Sequence, residues 1–195
     1  MSKPFFLKEF TPAELEIWAQ QEGQPAYRAR QLLKWLYSQN VLDFQAMTDL
    51  SKDFRGWLAE NARTSCLKRE RVLTDVDGTR KLLFRLQDGD SIESVLIEEE
   101  KRLTLCLSSQ VGCAYGCRFC LTGRDGYRRN LTAGEIVDQI CAARRELGKG
   151  ERLTNLVFMG MGEPLANLDQ VLKALEIIVS DRGLNFSPRK ITLST

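Results

Sequence analysis

The chain has 195 residues, of which 43% are hydrophobic and 28% are charged, and its formal net charge is +2. This composition is typical of a folded globular protein and excludes collagen-like and intrinsically disordered chains. The length suits one domain, or one domain with a small addition. A net charge so close to neutral does not by itself indicate a nucleic-acid-binding protein.

Histidine and cysteine usage limits the possible chemistry. The sequence has no histidine and six cysteines, which excludes Cys/His zinc fingers, histidine-assisted nucleophiles and the two-histidine iron site. No apolar run reaches the ~18–20 residues of a transmembrane helix, and residues 1–9 lack the apolar core of a signal peptide. We therefore expect a cytoplasmic protein whose cysteines serve metal or redox chemistry.

Residues 1–68 are predicted to form a small helical domain. The run Thr11–Glu14 combines an N-cap, a proline at the first helical position and a glutamate three residues after the cap, which is a capping box. Gly23 ends this helix. Two further helices are expected, one from about Ala26 to Tyr37 and one starting near Ser51, each with apolar residues at helical spacing.

Residues 69–101 are predicted to form a short antiparallel β segment that connects two domains. Asp77-Gly78 lies between two apolar runs and is a hairpin signal. Asp88–Asp90 forms a second turn. A further strand over Leu103–Leu107 then leads into a cysteine-rich loop.

Strands and helices alternate over residues 102–195. A capping box at Thr132–Glu135 opens a helix that is predicted to end at Gly148. Its apolar residues are predicted to lie on one side: Ile136, Val137, Ile140, Cys141 and Leu147. The strand Leu153–Phe158 follows, Asn167 is predicted to cap the next helix, and a last strand begins at Ile191. The predicted inner stripe of that second helix is Val171, Leu172, Leu175, Ile178 and Val179. The alternation predicts an α/β fold with parallel strands and right-handed crossovers, in which ligands bind at the carboxyl ends of the strands.

The most informative motif is the run from Cys113 through Cys117 to Cys120, with three and then two residues between the cysteines. Three thiolates can hold a metal centre from one loop, and they leave one coordination position without a local ligand. A structural zinc site would need a fourth ligand. The candidates for it are Cys66, Cys106 and Cys141. The spacing favours an iron–sulfur cluster with three cysteine ligands.

Two weaker signals accompany the cysteines. Gly160–Pro164 directly follows a buried strand, and its glycines would let a ligand approach the backbone, while Glu163 could accept hydrogen bonds from an ammonium group. A plain tight turn would look the same. Glu93 falls on the polar face of its strand, where a solvated side chain is the simplest interpretation.

Taken together, four stretches resemble the radical S-adenosylmethionine (SAM) RNA methyltransferases of the RlmN/Cfr type. They are Cys106–Cys120, Arg129–Leu131, Val157–Pro164 and Arg189–Thr195. The resemblance implies a partial radical-SAM (β/α) barrel over residues 102–195, preceded by the helical domain, which would bind RNA. It implies a 4Fe–4S cluster on Cys113, Cys117 and Cys120, and SAM as the second cofactor.

The resemblance also implies an activity and residue roles. Family members methylate carbon 2 of an adenine in 23S rRNA, and often an adenine beside the tRNA anticodon, through a methylated cysteine. Gly162, Glu163 and Ser194 match the SAM-binding positions. Cys106 matches the cysteine that resolves the protein–RNA adduct and can form a disulfide with the methyl-carrying cysteine. Glu93 matches the proton acceptor.

The resemblance leaves several points open. No cysteine follows Cys141, so the methyl-carrying cysteine has no counterpart, and there are fewer strand–helix units than in the family barrel. We therefore expect an incomplete chain that does not transfer methyl groups by itself. A monomer reduced by flavodoxin or ferredoxin is expected. The alternatives are a Cfr-like enzyme acting on carbon 8 and a zinc-stabilised, non-catalytic RNA-binding module.

Overall fold

A computed structural model describes residues 4–124 and 126–195, and its amino-terminal part is helical, as predicted. Strand β1 (Phe5–Phe6) is followed by a 3-10 turn and helix α1 (Pro12–Gln21). Helix α2 (Ala26–Leu33) continues into a π-helical turn over Lys34–Ser38, and α3 (Lys52–Asn61) leads to β2 (Ala62–Arg63), which pairs in parallel with β1.

The predicted ends of these helices are confirmed. The side chain of Thr11 accepts a hydrogen bond from the N–H of Glu14, whose carboxylate accepts one from the N–H of Thr11, so the capping box is complete. Gly23 follows the end of α1 with φ of +68°, a conformation that favours glycine. Ser51 caps α3 through a hydrogen bond from Phe54 N–H.

The central element is one mixed sheet. In chain order it contains β3 (Lys68–Thr74), β4 (Arg80–Arg85), β5 (Ser91–Glu99) and β6 (Arg102–Cys106), which pair antiparallel, and then β9 (Asn155–Phe158) and β10 (Ile191–Leu193), which pair in parallel. The spatial order is β10-β9-β6-β5-β4-β3. The predicted β segment and the start of the barrel therefore share a single sheet.

The remaining elements lie between β6 and β10. A two-stranded antiparallel ribbon consists of β7 (Gln110–Gly112) and β8 (Tyr127–Asn130), and the short helix α4 (Leu121–Arg124) lies between these strands. Helix α5 (Ala133–Arg144) connects β6 to β9, and α6 (Leu168–Val179) connects β9 to β10. These are the predicted crossovers. Among the described residues, no helix has the length and apolar character needed to cross a membrane.

Helix α5 differs from its prediction in two ways. It ends at Arg144 rather than at Gly148, and it is buried all round rather than on one side. The reason is that the sheet covers one side of α5 while the amino-terminal segment covers the other. Gln139 donates to the backbone carbonyl of Ser108 next to the sheet, and Asp138 forms an ion pair with Lys8.

The predicted inner stripe of α6 was partly wrong. Val171 and Ile178 are buried, but Leu172 is 54% exposed and Val179 is 36% exposed. The buried side of the helix instead uses Ala174 and Ile177, which lie three and six residues after Val171. Asn167 occupies the predicted cap position, but its side chain does not cap the helix. Its side-chain amide donates to the backbone carbonyls of Ser109 and Leu131.

Candidate active site

The parallel strands place the predicted site segments at one edge of the sheet. Leu107 follows β6, Met159 follows β9 and Ser194 follows β10, and β9 pairs in parallel with both neighbours. Because the carboxyl ends of parallel strands meet at the same edge, the polypeptide after each strand contributes to one rim. Ser194 is half-buried in this position.

The segment Leu107–Gln110, which we call the linking segment, lies against the loop Gly160–Pro164, which we call the GMGEP loop. The N–H of Gly160 donates to Leu107 O at 3.0 Å, and the N–H of Ser109 donates to Met161 O at 2.8 Å. The hydroxyl of Ser108 accepts from Met161 N–H at 2.9 Å and donates to Glu93 O at 2.6 Å. These bonds join two strand ends and β5 into one rigid platform.

The two glycines of the GMGEP loop are required by close contact with the linking segment. A Cβ atom on Gly160 would lie 2.6 Å from Leu107 O, and one on Gly162 would lie 2.5 Å from Gln110 Cβ. Gly162 also has φ of +93°. Close packing of the GMGEP loop on the linking segment therefore requires both glycines. The approach of a ligand to this loop, which the sequence suggested as the reason for the glycines, stays a prediction.

Glu163 uses one carboxylate oxygen within its own loop. Its Oε1 accepts a hydrogen bond from the N–H of Leu165 at 3.0 Å, which caps the short 3-10 helix Pro164–Asn167. No other hydrogen bond to this carboxylate is formed by the residues that the structure describes. The half-buried carboxylate can therefore still accept hydrogen bonds from a cationic ligand at the rim.

The cysteine loop, Cys113–Cys120, leaves the sheet through the β7–β8 ribbon. The N–H of Cys113 donates to Gly126 O at 3.2 Å, and this bond joins the two ends of the segment that contains the cysteine loop. Within the loop, the N–H of Cys120 donates to Cys117 O at 2.9 Å. Cys113 and Cys120 are half-buried, while Cys117 is exposed. The ribbon thus presents the three thiols outward from a fixed base.

The base of this ribbon depends on Gly112. Its φ is +74°, and a Cβ atom would lie 1.7 Å from Gly126 O. We expect Gly112→Ala to lower the free energy of unfolding by more than the ~1–2 kcal/mol of the left-handed conformation alone, because the two strands must also separate. Gly23→Ala is the control, since Gly23 has φ of +68° with no atom within 4 Å of the added Cβ. If urea unfolding shows that the two variants lose the same free energy of unfolding, the result would contradict the close contact between position 112 and Gly126 O.

The three thiols are compatible with the ligand set of a 4Fe–4S cluster. Within residues 4–124 and 126–195, no group of three or more cysteine, aspartate or glutamate side chains is placed to hold one metal ion. In a 4Fe–4S cluster each thiolate binds a different iron, so the sulfur atoms need not surround one point. Of the proposed fourth zinc ligands, Cys66 and Cys141 are buried near Asp138, at the contact between α5 and the amino-terminal segment.

Cys106 and Glu93 share the face of the sheet opposite α5. Cys106 pairs with Val95, and Val95 is two residues from Glu93, so all three side chains point to the same side. Burial raises the pKa of the Cys106 thiol, against an opposing hydrogen bond from the backbone of Met159, so the thiol is protonated at neutral pH. Glu93 forms a half-exposed ion pair with Lys81 at 3.2 Å.

Sequence reasoning missed three polar side chains of this platform, namely Ser108, Gln110 and Gln139. All are buried. The amide oxygen of Gln139 accepts from Ser94 Oγ at 2.8 Å and from Ser108 N–H at 2.9 Å. A signal was available, because a polar Ser-Ser-Gln run between a buried strand and a cysteine loop needs internal hydrogen-bond partners.

Two family models match the chain. The model described as "Ribosomal RNA large subunit methyltransferase N-terminal domain" matches residues 6–64, and the model of the radical SAM superfamily matches residues 107–195. The dual-specificity RNA methyltransferase RlmN of Syntrophobacter fumaroxidans is 53% identical over 99% of this chain and 56% of its own length. That of Geobacter sulfurreducens is 54% identical over 97% of this chain and 51% of its own length.

The chain belongs to the RlmN family. A solved structure of a radical SAM methyltransferase from Sphaerobacter thermophilus agrees with the fold, with a TM-score of 0.94 and 47% identity over 98% of this chain and 57% of that one. The predicted α/β fold with a partial radical-SAM barrel is therefore confirmed. The chain spans about half the length of the curated RlmN relatives it matches.

Membership in the RlmN family also bears on the cofactors. A radical SAM domain implies a 4Fe–4S cluster and SAM, as the cysteine spacing and the resemblance predicted. The described donor set fits both, because three thiols and the GMGEP loop lie on segments that leave the same rim. The roles of individual residues at this rim remain predictions.

Proposed function

We propose that the protein takes part in radical SAM-dependent methylation of carbon 2 of an adenine in 23S rRNA, and of an adenine beside the anticodon in tRNA. The observation that carries the proposal is the shared rim, where the ribbon with three thiols and the GMGEP loop are both bonded to the linking segment. The similarity to relatives named dual-specificity RNA methyltransferases supports carbon 2 over the Cfr-like reaction at carbon 8.

Six of the predicted residues bind the two cofactors at this rim. Cys113, Cys117 and Cys120 would hold the cluster through their thiolates, which would leave one iron free for SAM. The chemistry that the cluster would supply is the electron for reductive cleavage of SAM to a 5′-deoxyadenosyl radical. Gly162, Glu163 and Ser194 orient SAM, and the Glu163 carboxylate accepts hydrogen bonds from its ammonium group.

Cys106 and Glu93, on the face of the sheet opposite α5, act later in the reaction. Cys106 offers a buried, protonated thiol that becomes nucleophilic only after it loses its proton. In the family reaction this position resolves the protein–RNA adduct by forming a disulfide with the methyl-carrying cysteine. Glu93 accepts the proton released from the adenine, and its ion pair with Lys81 orients the carboxylate.

The proposal extends to domains and partners. Residues 1–68 form the RNA-binding helical domain, 69–101 the β connection, and 102–195 the first part of the barrel. The family-model match over residues 6–64 supports the first boundary. A flavodoxin or ferredoxin electron donor, a monomeric protein and a cytoplasmic location complete the proposal, since an RNA-modifying enzyme works where ribosomes and tRNA are found.

Deletion of the gene tests the proposed reaction. Mass spectrometry of 23S rRNA fragments from the deletion strain is expected to show loss of one 2-methyladenine, which returns when the gene is supplied on a plasmid. Loss of 8-methyladenine instead would support the reaction at carbon 8. Unchanged adenine methylation in both rRNA and tRNA would contradict the proposal.

A further inference from the structure

Gln110 is a buried side chain that bonds to two separate parts of the rim. It is 2% exposed. Its amide oxygen accepts from the N–H of Glu163 at 2.9 Å, and its amide nitrogen donates to Asn130 Oδ1 at 2.8 Å. One side chain therefore joins the GMGEP loop to the β7–β8 ribbon.

On the side of the GMGEP loop, Gln110 fixes the backbone of two residues that are predicted to bind SAM. Its N–H donates to Met161 O at 3.2 Å, so both its backbone and its side chain bind the loop. Gly162 packs so closely on Gln110 that an added Cβ would lie 2.5 Å from the Gln110 Cβ. These contacts hold Gly162 at φ of +93° and set the direction of the Glu163 peptide.

On the side of the ribbon, Gln110 is part of the base from which the cysteine loop leaves. It lies opposite Asn130 in the antiparallel register of β7 and β8. Asn130 Oδ1 also accepts from the hydroxyl of Tyr127 at 3.2 Å. Because β7 and β8 bracket the cysteine loop, a movement of Gln110 would change the position of the thiols relative to the GMGEP loop.

We propose that Gln110 is a positioning residue that holds the SAM-binding backbone in register with the cysteine loop. This inference rests on the proposed function, since it assigns Gly162 and Glu163 to SAM. A purely structural role would stabilise the fold without changing how tightly the cluster-loaded protein binds SAM. The two roles are therefore separable by measurement.

The test compares Gln110→Met with Thr64→Val. Methionine keeps the length of the side chain but leaves the Glu163 N–H without its acceptor. We expect an approximately tenfold higher Kd for SAM in equilibrium dialysis of the anaerobically reconstituted protein, with unchanged iron content. Thr64→Val removes another buried hydrogen bond, from the Thr64 hydroxyl to Leu42 O, and is expected to leave this Kd unchanged.

Two further measurements separate the possible failures. Hydrogen exchange of the backbone amides of Gly162, Glu163 and Leu165 in the cluster-free protein is expected to be faster in Gln110→Met than in Thr64→Val. Asn130→Leu is expected to weaken SAM binding, whereas Asn130→Asp, which retains an acceptor for the Gln110 amide, is expected to preserve it. An unchanged Kd in Gln110→Met would overturn the role of Gln110 alone. A wild-type protein that holds a cluster but binds no SAM would overturn the proposed function and, with it, this role.

Discussion

Replacement of Cys117 by alanine is expected to abolish cluster binding and SAM cleavage. Cys117 is the exposed member of the three thiols, so its loss leaves the hydrogen bonds of the β7–β8 ribbon in place. Loss of a group that merely orients a metal ligand lowers affinity by about 10–100-fold, so loss of the ligand itself should exceed ~100-fold. The measurements are iron and sulfide content after anaerobic reconstitution, and 5′-deoxyadenosine formed from SAM with a chemical reductant.

The matched control is Cys141→Ala. Cys141 is buried in α5, beside Lys8 and Asp138, so its removal tests cysteine loss away from the rim. This variant is expected to keep the iron content of the wild-type protein. Equal iron loss in Cys117→Ala and Cys141→Ala would contradict the assignment of the cysteine loop, as would full cluster content in Cys117→Ala.

The second large effect is expected at a buried ion pair between the amino-terminal segment and α5. Lys8 and Asp138 are 1% and 0% exposed, and their charged atoms lie 2.5 Å apart. The other carboxylate oxygen of Asp138 accepts from Ser65 Oγ at 2.6 Å and from the N–H of Cys66 at 2.9 Å. This pair attaches the amino-terminal segment to α5, and α5 in turn carries Gln139 of the rim platform.

Lys8→Met is expected to lower the free energy of unfolding by about 3–5 kcal/mol, because it leaves a buried carboxylate without its counter-ion. Lys173→Met is the control, since Lys173 forms an exposed ion pair with Glu14 and should contribute less than ~1 kcal/mol. Urea unfolding at neutral pH measures both. A loss of under ~1 kcal/mol in Lys8→Met would contradict the buried pair.

The same pair predicts a pH dependence of stability. Burial acts to raise the pKa of the Asp138 carboxyl, but the Lys8 ammonium and the hydrogen bonds outweigh burial, so the pKa lies below its ordinary value of 3.8. A lowered pKa means that the stabilisation is complete above about pH 4 and is lost as the pH falls through the folded-state pKa. In Asp138→Asn, the free energy of unfolding is therefore expected to fall less steeply than in the wild-type protein as the pH is lowered below about 4. Urea unfolding at a series of pH values measures this dependence.

Much of the fold could be predicted from local sequence signals, because those signals act over a few residues. The capping box at Thr11, the Asp77-Gly78 hairpin and the alternation of strands and helices all needed only neighbouring positions. The rim was predictable by a further step, because an alternation of strands and helices implies parallel pairing, and parallel pairing places the cysteine loop and the GMGEP loop at one edge of the sheet.

What the sequence did not predict depends on contacts between distant residues. Helix α5 was expected to have a polar side, but Asp138 and Gln139 on that side are buried. Each forms a hydrogen bond with a residue that is distant in sequence: Asp138 with Lys8, 130 residues away, and Gln139 with Ser108, 31 residues away. Periodicity cannot reveal such partners. The glycines of the GMGEP loop were singled out from the sequence for the approach of a ligand, which stays a prediction. Their packing on Leu107–Gln110 was not predicted, because that segment is about 50 residues away in the chain.

The proposed function requires three thiolates that leave one iron open to SAM. Mössbauer spectroscopy of the protein reconstituted anaerobically with ⁵⁷Fe, recorded with and without SAM, tests this requirement. We expect a 4Fe–4S spectrum in which a single iron changes its parameters when SAM is added. A spectrum that SAM leaves unchanged, or a colourless protein that takes up zinc in place of iron, would contradict the account.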